Sequence, residues 1–138
     1  MAQSVAGGVS ETALRSVIES MGFAPTKLNK GFLIKVTRDK WTLYVQLVLS
    51  DDGTKLGMNA NLGEVNVDAV TAVQWRNILV ENGDIDPSQF FLNADTKKLY
   101  LHRALDNRNM TPQYLASQLD IFMGQVISTE KVWGGITH

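Results

Sequence analysis

The chain has 138 residues, 44% of them hydrophobic and 20% charged, with thirteen basic and fourteen acidic side chains for a net charge of −1. That length suits one domain with a sizeable core, and the near-neutral balance offers no basic field to hold nucleic acid or an anionic membrane. Cysteine is absent, which excludes disulfides, zinc–thiolate and iron–sulfur sites and cysteine nucleophiles.

Residues 1–9 are small and glycine-containing and read as a flexible N-terminus, with a single α+β domain expected over 10–138. The opening MAQSVAGGVS has neither the basic start nor the apolar run of a signal peptide. No window approaches the roughly 18 apolar residues of a membrane span, so a cytoplasmic protein is expected. Ser10 can cap a first helix, and Glu11 suits its positive end. Leu14, Val17, Ile18 and Met21 then form one stripe, and Gly22 closes the helix.

Phe23 to Lys30, with Pro25 and Asn29, reads as a loop. Phe32, Ile34 and Val36 alternate with Leu33, Lys35 and Thr37 in a first strand. After the charged turn Arg38-Asp39-Lys40, a second strand carries Trp41, Leu43, Val45, Leu47 and Leu49 on one face. Its other face, Thr42, Tyr44, Gln46 and Val48, is mixed rather than polar. Asp51-Asp52-Gly53 is a turn signal, and Leu56, Met58, Ala60 and Leu62 alternate through a third strand. Three strands with tight turns predict an antiparallel meander.

The next helix is expected to start from a cap at Asn66 or Asp68 and to stop at Gly83. Its apolar residues fall on two sides. Ala72, Trp75, Ile78 and Leu79 make a core-facing stripe, while Val67, Val70, Val73 and Val80, interrupted by Asn77, lie nearly opposite. β-Branched residues are poor choices for a solvated helix face. Two readings fit: a helix sandwiched within its own domain, or a subunit interface at Val67, Val70, Val73, Asn77 and Val80.

Asp84 to Ser88 forms a proline-containing turn into the hairpin QFFLNADTKKLYLHR. Phe90 and Leu92 share one face, as do Leu99 and Leu101, with Lys98, Tyr100 and His102 opposite. Asn93-Ala94-Asp95-Thr96 supplies a four-residue connection. Thr111 can then cap a helix with Pro112 in its first position, and Leu115, Leu119, Phe122 and Val126 make its stripe. The order α-β-β-β-α-β-β-α predicts an α+β fold with a five-stranded antiparallel sheet packed by helices.

Reactive groups are not gathered anywhere along the chain. Only His102 and His138 could act as imidazoles, and the pattern identifies no partner for His102. Asp84 and Asp86 lack the spacing and the closing glutamate of a calcium loop, and Asp86-Pro87 is a turn signal. Asp51 and Asp52 point into water in a hairpin turn. No nucleophile elbow, phosphate loop or dinucleotide fingerprint occurs, and Trp41, Trp75 and Trp133 read as packing residues. No catalytic residue, metal ligand or cofactor is expected.

The run FFLNADTKKLYLHRALDNRNMTPQYLASQLDIFMGQVISTEKVW resembles the C-terminal half of the bacterial YbjN-like domains. These are proposed sensory transduction regulators with a type III secretion chaperone-like fold. The likeness lies in the hairpin at Phe91 to Leu101, in Leu105, in Thr111-Pro112, in the helix through Phe122, and in Thr129-Glu130 with Trp133. The resemblance implies a homodimer that binds protein partners without catalysis. It also implies dimerisation through the middle helix, which favours the interface reading of its valines. A partner segment would add to the sheet, with Tyr44, Val48, Tyr100 and His102 as the candidate surface. The chain departs from secretion chaperones in one respect, since those are often distinctly acidic. Alternatives are a small-molecule-sensing domain with a pocket between sheet and helices, or a small metal-dependent enzyme using His102.

Overall fold

The computed structural model describes residues 8–138 and places six strands in one antiparallel sheet. In chain order the elements are α1 (Glu11–Ser20), β1 (Thr26–Lys27), β2 (Phe32–Arg38), β3 (Trp41–Leu49) and β4 (Lys55–Glu64). There follow α2 (Ala72–Asp84), β5 (Gln89–Leu92), β6 (Lys98–Asp106), α3 (Pro112–Ser128) and α4 (Glu130–Trp133). The strands lie in the order β1-β2-β3-β4-β6-β5. The fold class is the one expected, with one strand and one short helix, α4, more. The sixth strand, β1, arises in the expected loop, where Thr26 pairs with Leu33 and Lys27 with Phe32. Two residues carry no alternation to read.

The expected flexible start falls, for residues 1–7, outside the described residues. Val9 is tied to the domain, its carbonyl accepting from Asn107 Nδ2 at 3.0 Å. The Ser10 hydroxyl caps α1 by accepting from Ala13 N–H at 3.2 Å, and Gly22 turns the chain away at φ +94°.

The start of α2 differs from expectation. Thr71 caps it in a reciprocal box: its hydroxyl accepts from Gln74 N–H at 3.1 Å, and Gln74 Oε1 accepts from Thr71 N–H at 2.9 Å. Two orphan donors are satisfied at once, which Asn66 or Asp68 could not match. The Asn66 carbonyl instead closes a turn by accepting from Ala69 N–H. Val67 and Val70 therefore lie half-buried in the connection before α2, packed against the core, and only Val73 and Val80 are on the helix. Gly83 does not stop the helix, which runs through it to Asp84.

Leu79, expected to face the core, is 70% exposed. α2 rests chiefly on β5 and α4, so a narrow stripe of Trp75, Ile78 and Asn82 suffices to seat it. Asn82 Oδ1 accepts from Phe90 N–H at 2.7 Å and fixes the helix to the edge strand.

α3 follows its sequence pattern. Thr111 accepts from Tyr114 N–H, and Leu115, Leu119, Phe122, Met123 and Val126 are all buried. They meet Leu14 and Ile18 of α1 and the inward residues of β2, β3, β4 and β6 in one hydrophobic core. Trp133 of α4 closes it, donating from Nε1 to the Val126 carbonyl at 3.0 Å and meeting Trp41 edge-on at 6.1 Å. The β5–β6 connection is held by Asn93, whose Oδ1 accepts from Asp95 and Thr96 N–H groups. All this packing lies on one face of the sheet.

Candidate functional site

Among the described residues, the side chains of the sheet's other face lie outside the helix-covered core. Its residues follow from strand parity: where Leu43, Val45 and Leu47 point inward, Tyr44, Gln46 and Val48 point outward. The same rule puts Asn59 of β4, Tyr100 and His102 of β6 and Phe91 of β5 on this open face. Tyr44 is 53% exposed, and Val48, Tyr100 and His102 are half-buried. The four candidate partner-binding residues therefore share one surface. They form two pairs separated by β4, since two strand spacings span about 10 Å.

Phe91 joins Tyr100 and His102. Its ring stacks on Tyr100 at 5.0 Å and meets His102 edge-on at 6.1 Å. Sequence reasoning used Phe90 and Leu92 of this strand for the core and left Phe91 unassigned. The signal was present, because a residue between two inward side chains must face outward.

A row of polar side chains crosses the middle of the face. Gln46 pairs with Asn59, and Asn59 with His102. Gln46 Nε2 donates to the Lys30 carbonyl at 3.0 Å, Asn59 Nδ2 donates to Gln46 Oε1 at 3.2 Å, and His102 Nδ1 lies 2.6 Å from Asn59 Oδ1. A backbone carbonyl only accepts, so the amide group facing it must be the NH₂ of Gln46. That choice orients each amide in turn and requires His102 to carry its proton on Nδ1. Nε2 is left as an unprotonated acceptor. The imidazole is thus set for hydrogen bonding by neutral amides, and no carboxylate stands in this row to make it a general base.

Burial pushes the His102 pKa below its ordinary value of 6.5. The folded state therefore binds fewer protons than the unfolded state. Its contribution to stability is complete above pH 6.5 and is lost as pH falls from there through the lower, folded value. Urea unfolding at pH 7 and pH 5.5 is expected to show a larger loss for the native chain than for His102→Gln. An equal or smaller loss would remove burial as the cause.

Of the carboxylates first noted as pairs, Asp52 has structural partners. Asp52 accepts from the Thr54 N–H at 3.0 Å, the Thr54 hydroxyl at 2.7 Å and the Ser50 hydroxyl at 2.8 Å, which holds its pKa down at about 2. Asp84 and Asp86 are exposed around the Asp86-Pro87 turn, whose peptide bond is cis. Among the described residues, no three of His, Asp and Glu come together as metal ligands. No helix there is long and apolar enough to cross a membrane.

On the helical side, a cleft of about 510 Å³ opens between the end of α1, the end of β2 and the start of α3. Met21, Phe23, Val36, Leu119 and Met123 line it with apolar surface. Arg38 stands at its edge, 3.3 Å from Asp120 Oδ1 and donating to the Asp120 carbonyl at 3.0 Å.

No family model matches the chain, and no curated protein matches its sequence. Solved structures do match. YbjN from E. coli superposes with a TM-score of 0.65 at 16% identity, over 86% of this chain and 86% of that one. A chain of the ExsC–ExsE complex gives 0.62 at 16% identity, over 88% and 91%. The Yersinia pestis type III secretion chaperone SycH, in complex with a stable fragment of YscM2, gives 0.55 at 19% identity, over 88% and 98%. At these identities the likeness is one of fold: the chain has the YbjN-like, type III secretion chaperone-like α+β fold that the hairpin and the last long helix resemble in sequence.

Proposed function

We propose that the protein is a non-enzymatic, homodimeric protein-binding module, chaperone-like or regulatory. The observation that carries this reading is the outer side of α2. Val73, Leu79 and Val80 are 55%, 70% and 62% exposed on a helix that already buries its opposite stripe. Val73 and Val80 share the flank opposite Ile78, and Leu79 lies about a quarter-turn round from Val80, so the exposed side of this helix carries three large apolar side chains, as an interface does. Asn77 lies beside them, and Val67 and Val70 extend the apolar surface at its N-terminal end. A second copy presenting the same flank would cover the patch symmetrically. The open sheet face is then free for a partner, with Phe91 and Tyr100 as aromatic anchors, Tyr44 and Val48 across the sheet, and His102 Nε2 as acceptor. The fold shared with a chain of the ExsC–ExsE complex and with SycH, both solved with protein partners, supports the same reading.

Multi-angle light scattering is expected to give the mass of two chains. Val73→Asp combined with Val80→Asp should halve it, because two buried carboxylates would face their copies across the axis. Both positions are exposed in the single chain, so far-UV circular dichroism and the melting temperature should stay close to native. A native mass of one chain across the micromolar to millimolar range would overturn the dimer.

The cleft beside Arg38 favours one second reading, a small-molecule sensor. Its volume and apolar lining match those of ligand sites. A thermal-shift screen of small apolar molecules separates the two, since a ligand that binds the folded state raises the melting temperature with the logarithm of its free concentration.

A further inference from the structure

We infer that Arg103 is the docking point for an acidic side chain of a protein partner, seated between the apolar side chains of Tyr114 and Ile121. Arg103 lies on the helical side of β6 and is half-buried beneath the flank of α3. Its Nε and Nη2 donate to Gln118 Oε1 at 3.2 and 2.9 Å, and its Nη1 donates to the Ser88 hydroxyl at 3.3 Å. Ser88 is bonded in turn to Gln125 Oε1, and Gln125 Nε2 donates to the Ile85 carbonyl. Every one of these acceptors is neutral. Among the described residues, Arg15, Lys27, Arg38 and Arg108 each pair with a carboxylate, whereas none comes within salt-bridge distance of Arg103.

A guanidinium always carries its charge, and partial burial without a counter-charge leaves that charge uncompensated. The hydrogen-bond geometry shows what would compensate it. One amide oxygen receives two N–H groups of the guanidinium fork, the place a carboxylate takes in a bidentate pair. Exchanging the Gln118 oxygen for a carboxylate would keep both bonds and add the missing charge.

The surroundings select the bearer of that carboxylate. Tyr114 lies four residues before Gln118 and Ile121 three after, so all three share one flank of α3. Tyr114 is 37% and Ile121 45% exposed. An apolar rim contributes nothing to a bare anion, but it complements a polypeptide whose acidic residue is flanked by apolar ones. This assignment rests on reading the protein as a protein-binding module and is independent of α2.

The test follows the Arg103 Nε–Hε resonance by NMR during titration with three probes. These are acetylated, amidated leucyl-glutamyl-leucine, its glutamine counterpart, and sodium acetate, all at matched ionic strength. The glutamate peptide is expected to bind about tenfold more tightly than either other probe, the size of one charge-assisted contact. Arg103→Gln should abolish the preference, and Gln118→Glu should abolish it too by supplying the carboxylate from within. The second variant keeps the outcome decisive if the first fails to fold. Equal binding of the two peptides, acetate binding as tightly as the glutamate peptide, or an unmoved Arg103 resonance would each overturn the assignment. The readout is local to Arg103, so a failed dimer in the α2 variants leaves it legible.

Discussion

Replacing Phe122 by alanine lowers the free energy of unfolding by about 3–5 kcal/mol, the range measured for large aromatic residues cut back in packed cores. Phe122 is fully buried at the centre of the α3 stripe, with Leu115 and Leu119 before it and Val126 after it. Those neighbours sit on a helix that is itself clamped by Trp133 through the Val126 carbonyl, so the site cannot collapse to fill the space. A domain of this size has a total stability of roughly 5–15 kcal/mol, so the variant loses a large part of it. The melting temperature is expected to fall by roughly 10–20 °C. The adjacent residue is the control. Ile121 is 45% exposed, and Ile121→Ala should cost less than about 1 kcal/mol while weakening the Arg103 docking strip. Chemical unfolding of both variants decides the matter; comparable losses would mean that α3 does not bury the stripe described here.

That stripe was legible in the sequence, and so were α1, β2, β3 and β4. In each, period or cap chemistry was written in consecutive residues: Ser10 and Gly22 around α1, Thr111-Pro112 ahead of α3, and aliphatic residues at every second position from Leu43 to Leu49. What escaped has physical reasons. β1 is two residues long and exists only because β2 offers it an edge. The start of α2 was placed too early because Asn66 and Asp68 are both capping residues, whereas the reciprocal bond from Gln74 makes Thr71 the cap. Leu79 was misplaced because a helix leaning on a sheet edge buries a narrower stripe than one lying across it. The row Gln46–Asn59–His102 depends on strand register, which a turn residue suggests but only the paired strands fix. Arg103 is of the same kind. Nothing in the sequence around it marks a cation whose acceptors come from 15 residues away on either side.

Gly31→Ala is expected to cost about 3 kcal/mol or more and to disturb the open face from a distance. Gly31 precedes β2 at φ +74°, where an L-residue carries a penalty of about 1–2 kcal/mol. The larger cost is spatial. A Cβ there would drive into the Leu47 carbonyl oxygen and crowd Val48 Cα, all of it backbone of a central strand that has no freedom to swing aside. Gly22 separates the two causes: its φ is +94°, but a Cβ would meet nothing within 4 Å, so Gly22→Ala should show the conformational penalty alone. The functional consequence runs through Lys30, the neighbour whose carbonyl orients Gln46. Displacing residue 31 moves that carbonyl and frees the Gln46 amide to turn over. Asn59 then loses its fixed donor, and His102 is no longer held with its proton on Nδ1. The ¹⁵N shifts of the His102 ring should therefore pass from a single Nδ1–H tautomer in the native chain to a mixture in Gly31→Ala. In Gly22→Ala they should stay as they are. A ring already mixed in the native protein would mean that the amide row does not orient it. A ring unchanged in a folded Gly31→Ala would mean that Lys30 is not its anchor.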